Sequence, residues 1–175
     1  MDHHDHVALI RAGVTGGGMT WADLGSGEGA FTLALADVLG PGGSIYTVDR
    51  DRGALEVQLE RLRARFPAVA VTPLLADFTK PIDLPPLDGI VMANSLHFVR
   101  DKLPVLRLVR GYMKPGGRFV LVEYGADRGN PWVPHPLSFP TWETLAAEAG
   151  FRDTRQLGSV PSRFLDSIYS AVSLV

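Results

Sequence analysis

Asp23-Leu24-Gly25-Ser26-Gly27-Glu28-Gly29 sets a carboxylate two residues ahead of glycines at alternate positions. Glycine lets a backbone reach unusual φ/ψ and pass close to a ligand, and a helix that starts directly afterwards offers unpaired N–H groups to an anionic ligand group. The stretch reads as a cofactor seat. Gly25-x-Gly27-x-x-Ala30 also satisfies the dinucleotide fingerprint of nicotinamide and flavin domains. Asp23 and Gly29 point the other way, since a carboxylate there suits a cationic group such as the ammonium of a methionine moiety and repels a pyrophosphate. Asp49 follows the start of the glycine turn by about 20 residues, the spacing at which an acid ending a second strand accepts ribose hydroxyls. Asp51 has the position of a helix cap. His97, Tyr124 and His135 could take a proton from a bound acceptor; for His97 a packed histidine that positions its loop is the other reading.

These residues need elements to hold them. Met19–Leu24 is β-prone and Phe31–Leu39 has helical periodicity, so the glycine loop joins a strand to a helix. Ser44–Asp49 is a second strand, and Leu55, Leu59, Leu62 and Phe66 recur at helical spacing before Pro67. Val69–Leu75 is a third strand, and Pro73 inside it predicts an edge position. Leu87–Ala93 is the fourth strand, Leu103–Val109 a helix that runs on to Met113, Lys114-Pro115-Gly116-Gly117 a turn, and Arg118–Tyr124 the fifth strand. Gly125–Pro140, with Trp132, His135, Phe139 and several prolines, reads either as an acceptor wall or as an ordinary crossover. Thr141 caps a helix to Ala149, and Phe151–Leu157 and Ser167–Leu174 form an antiparallel pair.

The form Asp23-x-Gly25-x-Gly27-x-Gly29, Asn94-Ser95-Leu96-His97-Phe98 after the fourth strand, and Lys114-Pro115-Gly116-Gly117 before the fifth together resemble the class I S-adenosylmethionine-dependent methyltransferases, in particular the small-molecule, quinone-biosynthesis type. The resemblance spans Asp23 to Tyr124 and lacks the Asn/Asp-Pro-Pro-Tyr signature of enzymes that methylate nucleobase or glutamine amides. It implies one Rossmann-like α/β domain over residues 1–175, with a doubly wound seven-stranded sheet, mostly parallel and finished by an antiparallel C-terminal hairpin. It also implies an S-adenosylmethionine cofactor, leaving as S-adenosylhomocysteine, and in-line methyl transfer to a small molecule. Residue by residue, Asp23 with Gly25, Gly27 and Gly29 would hold the methionine end, Asp49 the ribose, Asp77 with Phe78 the adenine, and Asn94 the floor, with Ser26 and Arg50 also among the cofactor-binding residues. Phe78 could equally close the core at its strand end.

Composition bounds the alternatives. The 175 residues carry 17 Lys+Arg against 19 Asp+Glu, a formal net charge of -2, with no basic run to track nucleic acid. Cysteine is absent, so disulfides and thiol chemistry are excluded. No apolar run approaches the ~20 residues of a membrane span and no secretory layout opens the chain, so a cytoplasmic protein is expected. His3, His4 and His6 lie near the start beside Asp2 and Asp5 without convincing ligand spacing; a mobile terminus and no metal site are expected. Gly16-Gly17-Gly18 should break any helix before the first strand. Little more than one helix precedes the first motif. That keeps open a methyltransferase-like module that binds cofactor without transferring, and the dinucleotide-like glycine pattern keeps open a nicotinamide-dependent oxidoreductase, against which Asp23, Gly29 and the final hairpin count. A homodimer could complete the pocket.

Overall fold

The computed structural model describes residues 1–14 and 18–175, so Gly16 and Gly17 of the expected glycine break lie outside the described residues. A seven-stranded sheet runs through the molecule in the order β3-β2-β1-β4-β5-β7-β6. Its strands are β1 (Thr20–Leu24), β2 (Ser44–Asp49), β3 (Ala70–Leu75), β4 (Leu87–Ala93), β5 (Met113–Tyr124), β6 (Arg152–Pro161) and β7 (Ser167–Leu174). The first five are parallel to one another, and β7 runs antiparallel to both β5 and β6. This is the doubly wound arrangement that the sequence predicts, with β3 on the edge and Pro73 opposite Thr47.

Alternation along the strands divides the core in two. Trp21, Ile45, Val91 and Val120 face α1 (His3–Arg11) and α2 (Ala30–Leu39), and Leu62 of α3 (Arg52–Arg65) joins them. Ala22, Val48, Ile90 and Phe119 face α4 (Lys102–Arg110) and α5 (Phe139–Glu148). Trp21 lies directly over β4, where a Cβ at Gly89 would run into its ring. The chain crosses from one face to the other between β1 and β4. That switch leaves a crevice at the carboxyl ends of the strands, the place where open α/β sheets take ligands.

Several local details differ from the sequence reading; α4 ends at Arg110, and Met113 opens β5 instead of closing that helix. The chain start is not loose: Asp2 and Asp5 form a reciprocal capping box for α1, and His3 Nε2 lies 2.9 Å from Asp37 of α2. Lys114–Gly117 is not a plain turn but a bulge inside β5. Pairing jumps there from Leu87↔Met113 to Gly89↔Arg118. The cap of α5 is Ser138, which accepts from Thr141 N, because Pro140 has no N–H to give and fits the first turn. The last hairpin is longer than its apolar run, since β6 continues through polar residues to Pro161. Among the described residues, no helix is long and apolar enough to cross a membrane.

Candidate cofactor and acceptor site

The loop after β1 is held by backbone bonds from Gly25 N and Ser26 N to Val48 O, at 2.8 and 3.1 Å. Gly25, Gly27 and Gly29 all have left-handed φ, of 78°, 52° and 86°. Their surroundings differ. A Cβ at Gly25 would press on Ser95 and the Phe78 ring, and one at Gly29 would run into the Gln58 side chain; at Gly27 nothing lies within 4 Å. Gly27 is therefore the glycine whose face is open to a ligand. Its N–H donates to Asp49 Oδ2 at 2.8 Å, while Asp49 Oδ1 accepts from Asp51 N at 2.9 Å. Each carboxylate oxygen retains a lone pair for another donor. Asp51 itself caps α3, accepting from Ala54 N at 3.1 Å.

Two hollows meet at this loop. A cleft of about 550 Å³ brings together Asp49, Arg50, Asp77, Phe78 and Asn94. A second, of about 360 Å³, is lined by Asp23, Ser26, His6 and Arg61. Gly25, Gly27 and Asn94 line both, whereas Gly29 lies in neither. Asn94 sits in the left-handed region at φ 51°, and its Oδ1 is buried without a hydrogen-bond partner, as is Ser26 Oγ. A buried acceptor left open at the junction of two hollows awaits a donor. Asp77 Oδ1 accepts from Thr79 N and Oγ1 at 2.9 and 2.7 Å, which holds that exposed carboxyl below its ordinary range.

Asp23 points to the α2 side of the sheet, where Thr32 Oγ1 donates to its Oδ2 at 2.6 Å. Burial pushes the carboxyl up from 3.8 to about 7, opposed by the Thr32 hydrogen bond and aided by the charge of Asp49. The folded state thus holds this proton more tightly than the unfolded chain. The stability this contributes is fully present below the ordinary value and is lost as pH rises through about 7. Relative to Asp23→Asn, the ligand-free protein is expected to lose melting temperature from about pH 5 to about pH 8. Thermal melts of both chains across that range check it.

A second polar group gathers at the ends of β4 and β5. The 3-10 turn Leu96–Phe98 follows Asn94 and Ser95, and Phe98 lines the large cleft. His97 is 3 % exposed and Glu123, near the end of β5, is 0 % exposed. His97 Nδ1 lies 3.0 and 3.2 Å from the two Glu123 oxygens, and His97 N donates to Oε1 at 3.0 Å. With Nδ1–H committed to the carboxylate, the lone pair of Nε2 is the basic position, and Nε2 has no hydrogen-bond partner among the described residues. The Tyr124 ring stands edge-on to His97 at 5.5 Å, and burial, with the Glu123 charge, raises its phenol, which keeps it protonated. His135 meets His97 through the backbone, His135 N to His97 O at 3.0 Å. Lys102 Nζ clamps the same loop, donating at 2.8 Å to Val99 O and to His135 O; burial lowers its pKa against the pull of Glu123. Of the three residues expected to handle a proton, only His97 is paired to a carboxylate. Glu123 is the partner that sequence reasoning missed. Its one signal is an acid closing the apolar run Phe119-Val120-Leu121-Val122.

The family model described as methyltransferase domain matches residues 16–148. A highly reducing polyketide synthase of Alternaria alternata is 29% identical over 171 residues, which cover 87% of this chain and 6% of that protein. The ubiquinone/menaquinone biosynthesis C-methyltransferase of Ectopseudomonas mendocina is 32% identical over 110 residues, 62% of this chain and 43% of that one. The chain spans less than half the length of either relative. In fold it is similar to a SAM-dependent methyltransferase from Aquifex aeolicus, with a TM-score of 0.75 at 22% identity over 98% of this chain and 89% of that one.

Proposed function

The chain belongs to the methyltransferase domain family, whose cofactor is S-adenosylmethionine, and from that premise we propose that it methylates a carbon of a small acidic C–H acceptor with His97 as the base. The observation that carries this reading is the buried His97–Glu123 pair beside the cleft-lining Phe98. A precharged acceptor would need no base, whereas a carbon flanked by a carbonyl, or one on an electron-rich hydroxylated ring, must lose a proton to become a nucleophile. The name of the Ectopseudomonas mendocina relative, a C-methyltransferase, supports the same acceptor atom.

The donor and acceptor set suits the cofactor. Asp23, Gly25 and Ser26 would take the methionine end, with the Asn94 Oδ1 acceptor available to its ammonium. Asp49 and Arg50 would take the ribose, Asp77 and Phe78 the adenine, while Gly27 leaves the open face. Bound there, S-adenosylmethionine supplies a methyl group on a sulfonium that departs as the neutral thioether of S-adenosylhomocysteine. The chain's own part is orientation and proton handling. Nε2 of His97 takes the acceptor proton, Glu123 stabilises the resulting imidazolium through Nδ1–H, and the proton then passes to solvent. Lys102 ties the loop that carries His135 to the segment that follows His97, through Val99 O and His135 O.

The test is a panel of acceptors with methyl-labelled donor, comprising 1,3-dicarbonyls, hydroquinones, phenols, thiols and amines. Carbon-methylated product from the first two groups is expected. Label found only on oxygen, sulfur or nitrogen would overturn the carbon assignment.

A further inference from the structure

Gln58 lies on α3 yet is fully buried, on a helix whose Arg61, Arg63 and Arg65 are exposed. A buried amide must find its partners inside the protein. Its Nε2 has two, Thr32 Oγ1 at 3.0 Å and Gly27 O at 3.3 Å. Thr32 in turn donates to Asp23 Oδ2 at 2.6 Å. A hydroxyl has a single hydrogen, so with that hydrogen on the carboxylate its oxygen must accept from the amide. The chain of bonds therefore runs one way, from amide to hydroxyl to Asp23, and each link polarises the next in favour of a negative charge at its end.

The other arm of the amide acts on the loop. Gly27 has its N–H held by Asp49 and its carbonyl held by Gln58, so the residue with the open face is pinned from both sides. Gly29 leaves the space that Gln58 fills, since a Cβ there would collide with the Gln58 Cγ. Gln58 Oε1, meanwhile, is buried without a partner. An apolar side chain of similar shape would avoid that unpaired acceptor but would leave the Gly27 carbonyl and the Thr32 hydroxyl without their donor, so the amide is matched to those two groups.

We propose that Gln58 is a positioning residue of the cofactor site, orienting Asp23 through Thr32 and seating the glycine loop through the Gly27 carbonyl while touching no ligand itself. The inference rests on the reading of this cleft as the S-adenosylmethionine site. Asp23 is faced by Asp49 across the loop and shares its hollow with His6 of α1, Glu28 of the loop and Arg61 of α3; all of these stay constant when Gln58 or Thr32 is changed.

The test uses the full chain as wild type, Gln58→Met, Thr32→Val and Thr32→Ser, with calorimetric titration of S-adenosylhomocysteine from about pH 6 to about pH 9 and thermal melts without ligand. Gln58→Met and Thr32→Val are each expected to weaken binding about tenfold, as for loss of a hydrogen bond that supports a charged group. Both also move the pH midpoint of binding upward. Thr32→Ser, which retains the hydroxyl, keeps the wild-type values, and Gln58→Met loses affinity beyond any fall in its melting temperature. Wild-type affinity and midpoint in both Gln58→Met and Thr32→Val would overturn the proposal, as would a lowered melting temperature with affinity unchanged. If Gln58→Met does not fold, the Thr32 pair decides alone: loss in Val with recovery in Ser upholds the relay, and no difference between them overturns it. Failure of the wild type to bind S-adenosylhomocysteine would overturn the cofactor reading and this inference with it.

Discussion

His97→Gln lowers kcat for carbon methylation by about 10²–10⁴-fold, the usual contribution of a positioned general base, while S-adenosylhomocysteine affinity stays within about twofold of wild type. Glutamine is the informative replacement because its amide can still donate to Glu123. The buried carboxylate then keeps a partner, and the fold is not burdened with an unpaired charge. What is lost is the lone pair at Nε2. Glu123→Gln removes the charge that stabilises the imidazolium and should also lower kcat, by less than His97→Gln, since the imidazole remains. A steady-state comparison of kcat and KM for the wild type and both variants checks the ordering. Equal kcat in wild type and His97→Gln would return His97 to the role of a packed histidine that shapes its loop.

The second large effect is expected at Asp49. Asp49→Ala weakens S-adenosylhomocysteine binding by about 10²-fold or more, because each charge-assisted hydrogen bond to a ribose hydroxyl is worth about 1.5–3 kcal/mol. The same change frees Gly27 N, which Asp49 holds at 2.8 Å, so the open face of the loop loses its fixed position too. Asp51→Ala is the control two residues away. It removes the cap of α3 and costs about 1 kcal/mol of stability with affinity unchanged. Calorimetry and thermal melting on the two variants separate the roles. Unchanged affinity in Asp49→Ala would remove Asp49 from the cofactor site.

Much of this architecture is legible in the sequence because the site is built from consecutive short signals. The glycine loop, Asp77 and Asn94 each follow a strand whose β-branched and apolar residues mark it, Asp49 ends one, and Pro73 assigns β3 to the edge. Partners distant in sequence are not legible in that way. His97 and Glu123 are 26 residues apart, and nothing in either segment says that the charge turns inward beside the imidazole. Gln58 left a fainter trace. Leu55, Gln58 and Leu62 are the buried positions of α3, so an amide occupies the apolar stripe of its helix. Gly29 shows the limit of motif reasoning. The motif groups it with the ligand contacts, whereas the structure packs it against Gln58. At Lys114–Gly117 local turn chemistry was clear, but the extra residues were absorbed as a bulge because Met113 already pairs with Leu87.

Proton exchange at the acceptor carbon tests the account most directly. The carbon acid that the protein methylates is incubated in deuterium oxide with the wild type or His97→Gln, each saturated with S-adenosylhomocysteine so that no methyl can transfer. Deuterium incorporation is followed by nuclear magnetic resonance. If Nε2 of His97 takes the acceptor proton, the wild type exchanges that hydrogen well above the solvent rate and His97→Gln does not. Exchange at the same rate in both proteins would contradict the assignment of His97 as the base.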